Sequence, residues 1–331
     1  MPKLNKIYEL WVQEHDSLDY FIVRPPMSVE FNIERNVWAQ SSDANFKIYN
    51  LSATTRGKIF RDRFEEWEPS IPVNTNFKLP DGSIGTNRPG NVQFYGGYEH
   101  DGKGLSMLFN GQLHYGHSTR RGPEFITELE CLDLSVSQYA SQSARTLAAG
   151  RNKKEIIEWL HNDIGSGPGI IGPGFDEPLG NIRGVTLQGN TLKLLHDVTN
   201  GNWYSDLGIP IAIKDWEVID NPNIRKISPE TGMINVPIKA NNVVIATLMF
   251  TPEIIVGQYI QVETAEGSRA QGLTALGNKT TSRGNYDGNY KVLGIKHAGI
   301  ISGTHDAQTI TTVSLIKLTR APVFVSLPGA L

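Results

Sequence analysis

Two runs near the start of the chain alternate apolar and polar residues with a period of two. They cover residues 29–35 and 45–51, and such alternation is typical of strands that are buried on one face. The small polar linker 39–44 favours a hairpin connection between them. Ser52 is placed to cap a short helix over 53–64. We predict a strand–strand–helix unit, around which the rest of the chain is arranged.

Strand-like runs recur on both sides of a segment that has a helical pattern. Residues 151–164 and 191–200 predict helices, because their apolar residues recur at three- and four-residue spacing and Asn152 is placed as an N-cap. Further strands are predicted at residues 6–13, 16–23, 72–78, 91–95, 105–112, 124–135, 241–251, 258–263, 288–296 and 309–317. The predicted fold class is therefore α+β and mainly β.

The changes of pattern give the predicted domain boundaries. Residues 1–141 and 229–331 are expected to be β domains, and residues 142–228 a mixed α/β segment between them. A polar stretch at 264–286 separates two strands of the last domain, and we expect a long functional or mobile loop there. In the first domain, Gly96-Gly97 predicts a bulge or a close backbone approach.

Composition narrows the class of protein only modestly. The 331 residues allow two or three domains, and a formal net charge of −3 argues against a dedicated nucleic-acid binder. The single cysteine, Cys131, excludes an intramolecular disulfide framework. No apolar run approaches the roughly 18 residues of a membrane-spanning helix. The charged N-terminal region lacks the apolar core of a signal peptide, so we expect assembly in the cytoplasm.

Motifs for catalysis or cofactor binding are weak. The stretch 272–280 resembles a phosphate loop, but Asn278 stands where the motif needs lysine. His114 and His117 have a spacing that suits a metal, yet no third ligand is near in sequence and a surface turn is favoured. Cys131 lies on the apolar face of its strand, which favours a small buried hydrophobe over a nucleophile. We predict no catalytic residue, cofactor or metal, and no enzymatic activity.

Several motifs stand in a recognisable order along most of the chain, from about residue 29 to 320. They are FKIYNLS at 46–52, GGY at 96–98, LFNGQL at 108–113, TELECLD at 127–133, the helix at 153–164, ISPETGMI at 227–234, LMFTP at 248–252 and GNYKVLGIKHAG at 288–299. In order and spacing they resemble phage baseplate hub proteins, the tail-hub group that includes the late control protein D family.

The resemblance implies an architecture and a set of partners. Two tail-tube-like β-barrel domains would flank the α/β segment, and three chains would form a ring that joins the six-fold tail tube to the three-fold central spike. The implied partners are further copies of the chain, the tail tube protein, the central spike protein, and the baseplate wedge and tape measure proteins. DNA would only pass through the channel during ejection. The protein would belong to a virion tail, contractile by the same resemblance, assembled as a late protein in the host cytoplasm without a membrane anchor.

Interface residues are expected in the 264–286 loop and at two strand edges of the first domain. The candidates are Gly97, Tyr98, Gly111, Asn278, Lys279 and Arg283. Any spike or cell-wall hydrolase is expected to be a separate chain.

Two alternatives stay open. The same fold would serve the hub of a contractile secretion or injection system, which neighbouring genes would distinguish. A β-rich carbohydrate-binding or carbohydrate-cleaving protein is the alternative from another class, because six tryptophans offer stacking surfaces, although they are scattered along the chain. Sugar-dependent thermal stabilisation would favour that second class.

Overall fold

A computed structural model gives the fold. It describes residues 5–14, 19–38, 41–59, 76–78, 84–86, 90–99, 102–134, 136–167, 169–180, 184–221, 226–264, 270–273, 279–282, 286–302 and 309–326. This part of the chain is mainly β, with a large antiparallel sheet, so the predicted fold class is confirmed. The division into 1–141, 142–228 and 229–331 stays a prediction.

The chain packs as two compact units that do not follow the chain in simple order. The first unit comprises Met1–Ile33, Asp43–Ser137 and Ala298–Gln308. The second comprises Glu34–Ser42, Gln138–His297 and Thr309–Leu331.

The first part of the chain forms an antiparallel sheet. Its elements are β1 (Lys6–Gln13), β2 (Tyr20–Val23), β3 (Val29–Asn36), β4 (Asp43–Tyr49), α1 (Ala53–Ile59), β5 (Asn76–Lys78), β6 (Ile84–Thr86), β7 (Asn91–Tyr98), β8 (Leu105–Arg121), β9 (Glu124–Leu132) and α2 (Val136–Tyr139). The strand order is β2-β1-β7-β8-β9-β4-β3, and β5 pairs with β6 separately. The predicted pairing of β3 with β4 is therefore confirmed.

The predicted helix cap and the predicted buried face of β9 are both present in this part of the chain. The Ser52 hydroxyl accepts a hydrogen bond from the Thr55 N–H at 3.0 Å, and it thereby caps α1. Residues 60–64 of the predicted helix lie outside the described residues. Thr127, Leu129 and Cys131 are buried on one face of β9, as the alternation predicts.

One turn prediction is wrong. His114 and His117 do not lie in a surface turn. They lie within β8, which is 17 residues long. Its pairing with β9 has a register shift between Leu113 and Tyr115. The apolar alternation stops after Leu113, but pairing with β9 continues through polar side chains, such as Ser118 and Thr127, whose hydroxyls lie 2.9 Å apart. Polar cross-strand pairs extend a strand where the hydrophobic pattern gives no signal.

A cluster of aromatic rings lies in the core of the first unit. Phe94 lies at its centre, with ring centroids 4.9 Å from Phe31, 5.2 Å from Phe46 and 6.0 Å from Tyr8. Phe109 packs edge-on against Phe46 at 6.1 Å. All five side chains are buried.

The later part of the chain, most of which belongs to the second unit, combines helices and strands. Its elements are β10 (Gln142–Leu147), α3 (Lys153–Ile164), β11 (Ile170–Ile171), β12 (Val185–Asn190), α4 (Thr191–Thr199), β13 (Trp203–Asp206), β14 (Ile209–Ala212), β15 (Glu217–Ile219), β16 (Lys226–Ile227), β17 (Ile238–Ala240), β18 (Val243–Met249), β19 (Tyr259–Val262), β20 (Ala270–Leu273), β21 (Lys279–Ser282), β22 (Gly288–Ile301), β23 (Ile310–Lys317) and β24 (Val323–Val325). The main strand order is β22-β23-β18-β17-β20-β21, and β19 pairs with both β22 and β16. Smaller sheets join β10 with β12, β11 with β14 and β13, and β15 with β24.

Both predicted helices of this unit form, and asparagines cap them. The Asn152 side chain accepts from the Lys154 N–H at 2.9 Å at the start of α3, and Asn190 accepts from the Lys193 N–H at 3.1 Å at the start of α4. The predicted apolar stripe of α3 is buried: Ile156, Ile157, Leu160 and Ile164.

The 264–286 stretch is not a structureless loop. It contains β20 and β21, which form an antiparallel hairpin, and β20 adds in parallel to β17. The Ala270–Leu273 and Lys279–Ser282 runs are each only four residues long, and neither alternates apolar and polar residues along its length. Such strands have no apolar face to reveal them, and their pairing along a sheet edge defines them instead.

Candidate assembly surfaces

The predicted interface residues of the first unit lie inside its sheet. Gly97 and Tyr98 end β7, and Tyr98 is only 2% exposed. A Cβ on Gly97 would lie 2.5 Å from the Gly104 carbonyl oxygen, and a Cβ on Gly111 would overlap the Leu132 carbonyl oxygen. Both glycines therefore permit close backbone approach within the sheet. Their role toward a partner stays a prediction.

The other predicted interface residues belong to the β20–β21 hairpin region. Lys279 begins β21, whereas Asn278 and Arg283 lie outside the described residues. The structure does not bring Gly97 and Gly111 opposite each other, because Gly97 pairs with Leu105 and Gly111 pairs with Val92.

A buried ion pair in the second unit was not predicted. Arg35 is 0% exposed, and its Nε and Nη2 atoms donate to the two carboxylate oxygens of Asp206 at 2.6 and 2.7 Å. A signal was available, because Arg35 falls on the inward-facing positions of β3 with Phe31 and Ile33. An arginine on an inward face needs an acidic partner, but Asp206 lies 171 residues further along the chain.

A second buried polar group fixes the turn between β14 and β15. The Lys291 ammonium donates to the Lys214 carbonyl oxygen at 2.9 Å. The Glu217 carboxylate, itself 0% exposed, accepts from the Lys214 N–H at 2.7 Å and from the Gly174 N–H at 2.5 Å. Burial lowers the pKa of Lys291 to about 8. These bonds involve residues on both sides of Trp216 in the sequence, and they stabilise the turn that contains it.

Trp216 belongs to an exposed apolar surface at the last described strand. We use the term β24 surface for Trp216, Tyr259, Val323 and Phe324. Phe324 is 51% exposed and its ring lies 5.5 Å from the ring of Tyr259. The Val323 N–H donates to the Trp216 carbonyl oxygen at 3.2 Å. Exposed aromatic residues on a rigid support are common at protein interfaces.

A second exposed apolar surface lies on β17 and β18. Ile234, Val236, Ile238 and Met249 are all exposed. Ile238 pairs with Ile245, and Met249 pairs with Ile310 of β23. Because directly paired residues share a face of the sheet, uncharged side chains of three strands meet here.

Metal-binding and membrane-spanning features are absent from the part of the chain that the structure describes. No group of three or more histidine, cysteine, aspartate or glutamate residues there is arranged to hold a metal ion. No described helix has the length and apolar character needed to cross a bilayer.

Comparison with known protein families assigns the chain. The family model described as Baseplate hub gp41 matches residues 10–265. The chain belongs to this family. Membership gives this hub protein a structural role in a phage tail baseplate and a place in the virion tail.

A solved tail protein has a similar fold. The hub protein is similar to the tail protein from Neisseria meningitidis MC58, with a TM-score of 0.53 and 9% identity over 94% of this chain and 96% of that chain. The 43 kDa tail protein of prophage MuSo2 from Shewanella oneidensis gives a TM-score of 0.49 and 8% identity over 93% and 98%. The Francisella PdpA–VgrG complex in its lidded form gives 0.48 and 8% over 95% and 53%. A search of curated protein sequences returns no match.

Proposed function

We propose that three copies of this hub protein form a ring in the baseplate, which joins the six-fold tail tube to the three-fold central spike. The ring leaves a channel through which DNA passes during ejection. Membership of the Baseplate hub gp41 family carries this proposal, because the match extends over residues 10–265. The exposed apolar surfaces at β24 and at β17–β18 support it, since a protein that works in an assembly needs surfaces of this kind.

The proposed partners follow from that position. They are further copies of the chain, the tail tube protein, the central spike protein, and the baseplate wedge and tape measure proteins. The β20–β21 hairpin region, with Asn278, Lys279 and Arg283, and the edges near Gly97, Tyr98 and Gly111 remain proposed contacts. The tail is proposed to be contractile, and the protein to be made late and assembled in the host cytoplasm. Its role is proposed to be structural rather than catalytic.

The solution mass of the purified chain tests the ring. Light scattering at several concentrations is expected to give a mass near three times 36.6 kDa, and electron microscopy of that species is expected to show a central channel. A mass of one chain at every concentration, also after addition of the tail tube and spike proteins, contradicts the trimeric ring.

A further inference from the structure

The strand β24 has an open hydrogen-bonding edge. Among the described residues it pairs only with β15, in parallel. The Val323 N–H donates to the Trp216 carbonyl oxygen, and the Val325 carbonyl oxygen accepts from the Asp220 N–H. Successive residues of a strand direct their backbone groups to opposite sides. The N–H and C=O of Phe324 therefore point away from β15.

The strand β24 itself contains none of the usual protection against strand addition, and Pro322 directly precedes it. Natural sheets protect exposed edges with charged residues, prolines or bulges, whereas β24 reads Val-Phe-Val. Val323 and Phe324 are both exposed. The outer backbone groups of β24 are placed to hydrogen-bond an added strand. The exposed side chains of the β24 surface would be buried against that strand.

The uncharged sequence of β24 indicates which strand can pair with its edge. In the described part of the chain, β2 is the terminal strand of the first sheet, with β1 as its neighbour. Its sequence, Tyr-Phe-Ile-Val, is apolar and uncharged, like that of β24. By contrast β21, which ends the main sheet of the second unit, begins with Lys279. Pairing these two uncharged strands places no charge from β24 or β2 in the contact. The nearby guanidinium of Arg320 lies over the Trp216 ring, 6.0 Å from its centroid.

A ring requires contacts between two different surfaces of each copy. Pairing β24 with β24 would relate two copies by a two-fold axis and close the assembly as a dimer, whereas pairing different edges head to tail generates a ring. We infer that β24 of one copy adds to β2 of the neighbouring copy. This inference rests on the proposed trimeric ring and names the strands that close it.

Cysteine cross-linking between separate molecules tests the pairing. The wild-type chain has one cysteine, Cys131, which is buried. Little cross-linking is therefore expected from the wild-type chain itself. Chains with Phe324→Cys are mixed with chains that carry Tyr20→Cys, Phe21→Cys or Ile22→Cys, then oxidised and run on a non-reducing denaturing gel. We expect a covalent two-chain band in at least one mixture and in none of the four variants alone. Lys193→Cys, on the exposed side of α4, gives the background from random collision when mixed with Phe324→Cys.

Each other result overturns the inference in a distinct way. A two-chain band from Phe324→Cys alone shows that β24 pairs with itself. Mixtures that stay at the collision background while the wild-type mass equals three chains reject the β24–β2 contact and leave the ring standing. A wild-type mass of one chain under all conditions rejects both the contact and the ring.

Proline substitution tests the backbone contribution separately. Phe324→Pro removes an N–H that points outward, so it is expected to reduce the mass from three chains to one without lowering the thermal unfolding midpoint below that of Phe324→Ala. Phe324→Ala also removes the phenyl side chain but retains the backbone N–H, so it is expected to associate more strongly than Phe324→Pro. Val323→Pro, which removes the inward hydrogen bond to Trp216, is expected to lower the unfolding midpoint. A trimeric Phe324→Pro protein contradicts strand addition at this edge.

Discussion

The two units of the hub protein differ in what lies buried beside their aliphatic side chains. The first unit packs aromatic rings around Phe94. The main cluster of the second unit is aliphatic, with isoleucine, valine and leucine in the majority. Buried in the second unit are also charged and titratable groups: Arg35, Asp206, Glu217, Lys291 and His297.

The difference shows what stabilises each unit. Aromatic rings contribute through buried area and ring geometry, so the first unit depends on shape. In the second unit, ion pairs and buried hydrogen bonds specify how distant segments meet, as between Arg35 and Asp206. A buried charge must retain its partner or the fold loses several kcal/mol. The two units should therefore respond differently to loss of shape and to loss of charge.

Removal of the central ring should have the largest effect. Phe94→Ala is expected to lower the free energy of unfolding by about 4–5 kcal/mol, because it leaves a cavity among three ring contacts. Phe94→Leu, which retains most of the volume, is expected to lose about 1.5 kcal/mol or less. Urea unfolding followed by near-ultraviolet circular dichroism measures both variants. Equal losses would show that retained volume does not protect the core and that the aromatic ring itself is required.

Breaking the buried ion pair should come next. Asp206→Ala leaves the Arg35 guanidinium buried without its carboxylate and is expected to lower the free energy of unfolding by about 3–4 kcal/mol. The double variant Arg35→Met/Asp206→Leu removes both charges and is expected to recover most of that loss. Urea titrations of the three proteins check this. If the double variant is as unstable as Asp206→Ala, the cost does not come from an uncompensated charge.

The buried lysine predicts an unusual alkaline stabilisation. Burial lowers the pKa of Lys291 to about 8, against about 10.4 for a lysine in an unfolded chain. Between these values the unfolded chain binds more protons, so the free energy of unfolding rises with pH by up to about 1.4 kcal/mol per unit. We expect the difference between wild type and Lys291→Met to grow in favour of wild type from pH 8 to pH 10.

The neighbouring exposed lysine provides the control for that pH profile. Lys296 lies in the same strand, β22, with its side chain largely in solvent. Lys296→Met is expected to leave the difference from wild type constant over the same pH range, as measured by chemical unfolding at each pH. A flat profile for Lys291→Met as well would contradict the effect of burial.

The helix caps should give the smallest effect and the same effect in both units. Ser52→Ala and Asn152→Ala each remove one side-chain acceptor at a helix N-terminus, with an expected cost of about 1 kcal/mol. Ser52→Asp retains the acceptor and should stay near wild type in thermal unfolding. Asn152→Asp also retains the acceptor, but it replaces the amide that donates to the Asp176 carboxylate at 2.5 Å, so it should be less stable than wild type. A large difference between the two alanine variants would show that the units differ in more than their cores.

The parts of the fold that could be predicted are those with a local sequence pattern. Period-two alternation located β1 at Lys6–Gln13 with both ends correct, and helical spacing with an asparagine cap located α3. These signals are local. The β20–β21 hairpin and the second half of β8 were missed because their strands are polar and are held by pairing with neighbours.

The candidate surfaces could be predicted less well than the fold. The resemblance led to the correct family, but a surface depends on which side chains remain outside after packing. Tyr98 is predicted as an interface residue and is buried, whereas Phe324, for which the sequence gives no such prediction, is exposed. The turn that precedes Trp216 is contacted by Lys291, which lies far away in sequence. Contacts of that separation leave no local pattern.

The division of the chain also has a consequence for synthesis on the ribosome. The first unit contains Ala298–Gln308, which is separated from its preceding segment by the 160 residues 138–297 of the second unit. A nascent chain therefore cannot complete its first unit until the whole of that stretch has been translated. No single cut in the gene would release either unit intact, so truncated hub fragments are expected to yield incomplete sheets rather than separate domains.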